Sequence, residues 1–513
     1  MSGQGSGRDG EGIMADVGAS AGASGGLRRV LSFRTVVSTS TGLAYAAISL
    51  FACIQLAAYL AGDAAWVALL IAGGLAVLAA LCFSELNALY PSAAAIRQYM
   101  RAALNEGTSL TISYAYVLTI VAVIAADSFV VGSAISFAFA PLPVVSAVPT
   151  VVWVLIILAL ATGANLLGIR IAGLLQDLTT YALLVSLAAI SLIALAHGGF
   201  QLTDPVRGAF RNGPLNLIQA VAVGIFVFSA FEWVTPLAEE VTDSRMIPRG
   251  MLLSLGLLFV SYALFTVAAT HLVGLRVLCP PASQPSSCVV VPQMLLGRAA
   301  LGQAGVWWML LATLFTGVMT FNGGFATASR FLYAAAREAT LPRVFARLSL
   351  GRAVPWVGVV ALAVASAVVA VVIFLTQEYI ILTLVGAVLE ALIYAVAGLC
   401  VIQLRRRQPR AARSFRIAGG WTIPIVTIAI FTLLGLAAGV TANTSPPFLP
   451  LLITLFLFAL SFLYVWLVVP RLKAAEVART RHTGRRRPVR PVVAAPLNPP
   501  VGEALPASDE PGQ

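Results

Sequence analysis

The chain has 513 residues, 59% of them hydrophobic and only 10% charged, with a mean hydropathy of +0.94. Soluble domains carry about 25% charged residues, so this balance excludes a soluble globular protein and indicates an all-α polytopic membrane protein. The net charge of +12 could suggest nucleic acid, but its distribution along the chain follows membrane topology instead.

Residues 1–34 begin "MSGQGSGRDGEG". They are Gly/Ser-rich and polar, which reads as a disordered cytosolic N-terminus and not as a cleavable signal peptide. A transmembrane region, 35–470, follows. It holds about twelve apolar stretches near or above spanning length, at 35–60, 64–89, 110–139, 149–169, 171–196, 215–238, 249–275, 304–336, 355–376, 379–403, 421–441 and 447–470. Residues 471–513 form a basic, Pro-rich cytosolic tail. Its run "RHTGRRRPVR" (481–490) suits anionic headgroups of the bilayer.

With both termini inside, the outer loops hold only Arg207, Arg211, Arg276 and Arg298 of the 32 Lys and Arg residues. This asymmetry predicts a multi-pass protein with cytoplasmic termini. Trp66, Trp153, Trp307, Trp308, Trp356, Trp421 and Trp466 fall near span ends, as an interfacial belt requires, whereas Trp233 lies inside span 6. Cys53, Cys82 and Cys400 lie in spans and read as packing thiols. Cys279 and Cys288 flank the outer loop "CPPASQPSSC", where a disulfide and two free thiols are equally open.

Span 1 begins inside and span 6 outside, so two groups of five spans would be inverted relative to one another. Transporters built this way bind their substrate where corresponding helices are broken. In span 1 the run "VVSTSTGLAY" (36–45) brings together Ser38, Thr39, Ser40, Thr41 and Gly42; in span 6 "FSAFEWVTP" (228–236) places Glu232 and Pro236 inside an apolar helix. The expected breaks are Ser40-Thr41-Gly42 and Ser229-Ala230. The candidate substrate contacts are Ser38, Ser40, Thr41, Gly42, Phe228, Ser229, Ala230, Phe231 and Glu232, with Asn322 of the Asn-Gly-Gly run in span 8. A broken helix offers N–H groups to a carboxylate and C=O groups to an ammonium, so an amino acid or an organic amine fits. The plainer alternative is a hydroxyl-rich helix bonding back to its own carbonyls.

Four stretches carry a resemblance to the amino acid–polyamine–organocation (APC) superfamily of permeases. "LCFSELNALYPSAAAIRQYM" (81–100) looks like the family's exit from its second helix, with Glu85, Pro91 and Tyr99 in place. "FVFSAFEWVTPLAEEVTDSRMIPRG" (226–250) resembles the sixth helix and its acidic end. "TFNGGFATASRFLYAAAREATLP" (320–342) is similar to the eighth, and "LRRRQPRAARSFRIAGG" (404–420) to the basic loop after the tenth. The resemblance implies ten core helices in a 5+5 inverted repeat of the leucine-transporter type, plus two peripheral helices. It also implies secondary transport of amino acids or related amines by alternating access.

The sequence departs from the family at three places. The first break carries Ser40-Thr41-Gly42 in place of Gly-x-Gly, and Ala230 stands where the sixth helix usually has glycine. A lysine found in the fifth helix of some members is missing, with Leu183 the nearest position.

Three carboxylates lie within spans: Asp127, Glu232 and Glu390. Ionisable groups at bilayer depth are functional candidates by default, and each is read here as a proton-coupling candidate or a packing carboxyl. Glu85, Glu239, Glu240 and Arg330 gather at the predicted cytoplasmic ends of spans 2, 6 and 8, where an inner gate of ion pairs is expected. The three histidines, His197, His271 and His482, have no metal-ligand spacing, so no metal, cofactor or enzymatic centre is expected. The function that follows is an amino acid or amine transporter of the plasma membrane, coupled to protons or not. A coupling-free exchanger or exporter and a non-transporting sensor of the same fold are the alternatives.

Overall fold

A computed structural model describes residues 31–482 apart from 61, 93–94, 168, 198, 202–211, 240, 244, 281–287, 350–353 and 441–445. Its helices in chain order are α1 (Phe33–Ala44), α2 (Ala47–Tyr59), α3 (Ala65–Leu89), α4 (Ala95–Ala103), α5 (Glu106–Phe139), α6 (Pro143–Ser146), α7 (Thr150–Leu167) and α8 (Ile169–Ala196). There follow α9 (Pro214–Val227), α10 (Met246–Leu272), α11 (Leu275–Leu278), α12 (Pro292–Arg337), α13 (Trp356–Thr376), α14 (Tyr379–Arg407), α15 (Thr422–Gly439), α16 (Leu449–Leu467) and α17 (Val469–His482). Among the described residues there is no strand, only one isolated parallel bridge between Leu31 and Val241.

Eleven of these helices are long and apolar enough to cross a membrane, or twelve when the bent pair α1 and α2 counts as one span. Every predicted span therefore has its helix. Spans 1–5 and 6–10 form the two inverted units, and α15 and α16 pack on the outside, both against α14 and α16 also against α5. The faces turned outward are apolar: Val360, Val364, Val368 and Val372 recur every four residues along α13, the spacing of one helix face. Trp307, Trp356, Trp421 and Trp466 are exposed near helix ends, while Trp233 is buried.

Local signals account for several helix starts. Asn105 caps α5 by accepting from the Thr108 N–H at 2.8 Å, and Ser32 caps α1 through Thr35. Pro214 and Pro292 sit in the first turns of α9 and α12, where a missing N–H leaves no bond unmade.

Two boundaries differ from expectation. Helix α12 begins at Pro292, twelve residues before the predicted start of span 8, and bends at Leu301 and Gly302, where Gly302 has φ +59°. Its first arm folds back so that Gly297 meets Gly305 backbone to backbone, and a Cβ on either would collide with the other. The segment reads as loop in the sequence because its turns are short and Gly-rich. At the other end α17 carries helix to His482, past the expected end of the membrane region at 470. The expected disordered N-terminus (up to 30) and the tail beyond 482 lie outside the described residues. Cys279 and Cys288 are joined by a disulfide that closes the segment after α11.

Candidate functional site

Span 1 is broken between α1 and α2, which meet at 58°. The break is at Tyr45-Ala46 and not at Ser40-Thr41-Gly42, which are helical and buried within α1. The reason is that the small, hydroxylated residues serve close packing. A Cβ on Gly42 would collide with Gln176 and Thr180 of α8. Ser38 donates to Asp177 of α8, and Thr41 Oγ1 donates to Ser254 Oγ of α10 at 3.0 Å. Only Ser40 turns toward span 6, donating to the Phe231 carbonyl at 2.9 Å.

The ends exposed by this break are served by neighbouring side chains. Tyr262 Oη of α10 donates to the Ala44 carbonyl at 3.1 Å, and Asp127 Oδ1 of α5 accepts from the Ile48 N–H at 3.1 Å. Helix ends have no water to complete them at membrane depth, so such partners are obligatory.

Span 6 breaks where expected. Helix α9 ends at Val227, and Phe231–Glu239 continues as a tighter 3-10 segment containing Pro236. Between them Ser229 N–H and Oγ both donate to the Phe226 carbonyl, at 3.1 and 2.8 Å. Ala230 takes φ +69°, a left-handed conformation in which a side chain is strained. Glu232, two residues on, is fully buried. Tyr116 Oη of α5 donates to its Oε1 at 2.8 Å and Tyr394 Oη of α14 to its Oε2 at 3.0 Å. Trp233 stands edge-on to Tyr116, with ring centroids 5.8 Å apart. Glu390 is buried one turn from Tyr394 on α14, and its Oε2 has no hydrogen-bond partner among the described residues.

The expected residues thus separate into groups. Ser40 of α1 meets Phe231 beside Glu232, with Phe228, Ser229 and Ala230 forming the turn of span 6. Ser38, Thr41 and Gly42 face α8 and α10 instead. Asn322 is half-buried on α12, and its neighbour Gly323 leaves room for Leu43. In α8 the position bridging spans 1 and 8 is Thr180, not Leu183. Thr180 Oγ1 lies 3.2 Å from the Ser38 carbonyl and 3.0 Å from Met319 Sδ, and Leu183 is packed in the core.

A model of the family described as Amino acid permease matches residues 36–485. The chain belongs to that amino acid permease family. This permease is 27% identical over 376 residues to "Cationic amino acid transporter 4, vacuolar" of Arabidopsis thaliana, covering 68% of the chain and 58% of the relative. It is 26% identical over 284 residues to "Asc-type amino acid transporter 1" of Homo sapiens, covering 54% and 51% respectively. The permease therefore spans little more than half the length of these two relatives. An uncharacterized transporter of Mycobacterium tuberculosis is 28% identical over 325 residues, covering 62% of this chain and 68% of its own. Among solved structures, a Na+-coupled sialic acid symporter superposes with a TM-score of 0.51 at 14% identity, over 80% of this chain and 90% of that one. A manganese transporter of Eremococcus coleocola does so with 0.52 at 16%, over 87% and 98%. At these identities the likeness is one of fold.

Of the residues expected at the ion-pair gate, Glu85 of α3 is paired with Arg405 at the end of α14. The Arg405 Nε–Oε1 distance is 2.8 Å and the Nη2–Oε2 distance 2.6 Å. The Ile417 N–H also donates to Glu85 at 2.9 Å, and Arg413 lies 3.7 Å away. The basic loop after α14 folds under α3, and a planar guanidinium matches a carboxylate fork, so Glu85 clamps that loop. The Glu239 side chain and Glu240 lie outside the described residues.

Sequence reasoning missed Tyr116, Tyr394, Tyr262 and Arg405. It sought cationic partners for buried carboxylates, whereas phenol hydroxyls in mid-span were the available donors. Two outcomes follow from this geometry. Arg405→Ala strands a buried carboxylate and should destabilise the fold by about 3–5 kcal/mol, read as a loss of thermal stability in detergent. Ala230→Gly relieves a left-handed strain of about 1–2 kcal/mol against a smaller backbone-entropy cost of about 0.4–1 kcal/mol. It should raise the melting temperature, while Ala230→Val should lower it.

Proposed function

We propose that this permease is a secondary transporter of amino acids or related organic amines, working by alternating access in the plasma membrane with both termini cytoplasmic. The observation that carries the reading is the contact between the two broken spans, Ser40 Oγ to the Phe231 carbonyl, beside the braced Glu232. Irregular backbone at membrane depth belongs where protein encloses it or where it lines a cavity, and a pair of such breaks is the architecture of a midplane substrate site. The names of the relatives support amino acids as the substrate class. The placement of only four of 32 basic residues on one set of loops supports the orientation.

Of the candidate carboxylates, Glu232 is the brace, since hydroxyls hold both of its oxygens. Glu390 is the proton carrier: it is buried, lies one turn along α14 from Tyr394, which holds that brace, and keeps an oxygen without a partner among the described residues. Exchange without ion coupling is the second reading, favoured by the double bracing of Glu232, which needs no proton transfer to serve its place.

Proteoliposomes with an imposed pH gradient separate the two. An acid exterior should accelerate uptake, and Glu390→Gln should remove that acceleration by about tenfold or more while leaving counterflow exchange measurable. Indifference of wild-type uptake to the gradient, with Glu390→Gln silent, would overturn proton coupling and favour exchange.

A further inference from the structure

The break of span 1 exposes the start of α2, whose N–H groups form a site for one negative charge. That place is taken by the protein's own carboxylate. Asp127 is 0% exposed in the middle of α5, accepts from the Ile48 N–H at 3.1 Å and also faces the Ala47 N–H. Its second oxygen, Oδ2, is buried without a hydrogen-bond partner among the described residues. The Thr320 hydroxyl of α12 faces the same carboxyl and is buried, with no partner within 3.5 Å among the described residues. Buried polar atoms are rarely left so, and two of them converge here from different helices.

We propose that Asp127 stands in for the carboxylate of an amino acid, so that the site takes the ammonium group of a primary organic amine that lacks an α-carboxylate. Resting on the transport reading above, this narrows its substrate class. A substrate carboxylate brought to the Ala47 and Ile48 N–H groups would meet a like charge already bonded there. An ammonium brings three donors and no acceptor. One reaches Asp127 Oδ2 and a second the Thr320 hydroxyl, which completes both groups that lack a partner. The stacked rings of Tyr45 and Tyr262, centroids 4.7 Å apart, flank the break and present an aromatic surface beside the cation.

The test uses the full-length protein in proteoliposomes and pairs of compounds differing only by the carboxylate: ornithine and putrescine, lysine and cadaverine, phenylalanine and phenethylamine. The amine of at least one pair should compete for uptake at about tenfold lower concentration than its parent. Asp127→Asn can still accept from the Ile48 N–H but has lost the charge. It should weaken the amine by about tenfold or more relative to the parent amino acid. If Asp127→Asn does not fold, Thr320→Val should reduce amine affinity in the same direction. Wild-type preference for every amino acid over its amine, or an Asp127→Asn variant with the wild-type ratio, overturns the proposal and leaves the transport reading standing. Uptake of neither class overturns both.

Discussion

A carboxylate in the middle of a membrane bundle has no water to solvate it and must find donors in the protein. Glu232 finds two phenol hydroxyls, Tyr116 on α5 and Tyr394 on α14. Those two bonds fix how far the broken segment of span 6 stands from spans 3 and 10, and they hold Glu232 two residues after the strained Ala230. Phe231, between the two, then offers its carbonyl to Ser40. That contact ties α1 to the broken segment of span 6.

The same requirement shapes the break of span 1. Its two helix ends are completed by Tyr262 and Asp127, contributed by α10 and α5. A break completed in this way has a defined angle and position, because each orphan group is tied to a different helix. The hydroxyl-rich run just before it does other work. It lets α1 approach α8 closely and bonds outward to Asp177, Ser254 and Phe231. Small polar residues in a membrane helix are thus evidence of close neighbours before they are evidence of unwinding.

Away from the breaks the bundle is held by a different kind of interaction. The buried Glu85–Arg405 pair joins α3 to the end of α14 and, through the Ile417 N–H, to the loop that follows. Such a pair contributes little net stability against an apolar replacement but makes the loss of either partner severe. It fixes one end of the bundle while the junction of spans 1 and 6 rests on a few hydrogen bonds between short segments.

Much of the architecture was legible in the residues alone. Twelve apolar runs, the placement of basic residues and the inverted count of five and five depend on composition and order, and hydrocarbon allows few alternatives to helices for such runs. The span 6 break was legible too, because Pro236 weakens a helix locally and Glu232 could not lie in lipid. What only the tertiary structure decided was which groups face one another. Whether Ser40-Thr41-Gly42 unwinds or packs depends on the closeness of α8. Which arginine pairs with Glu85 depends on where a loop folds, and whether Asp127 faces a helix start depends on the rotation of α5. Spans and breaks are properties of short stretches of chain, whereas these partners are chosen across separations of 79 to 320 residues, where spacing carries no information.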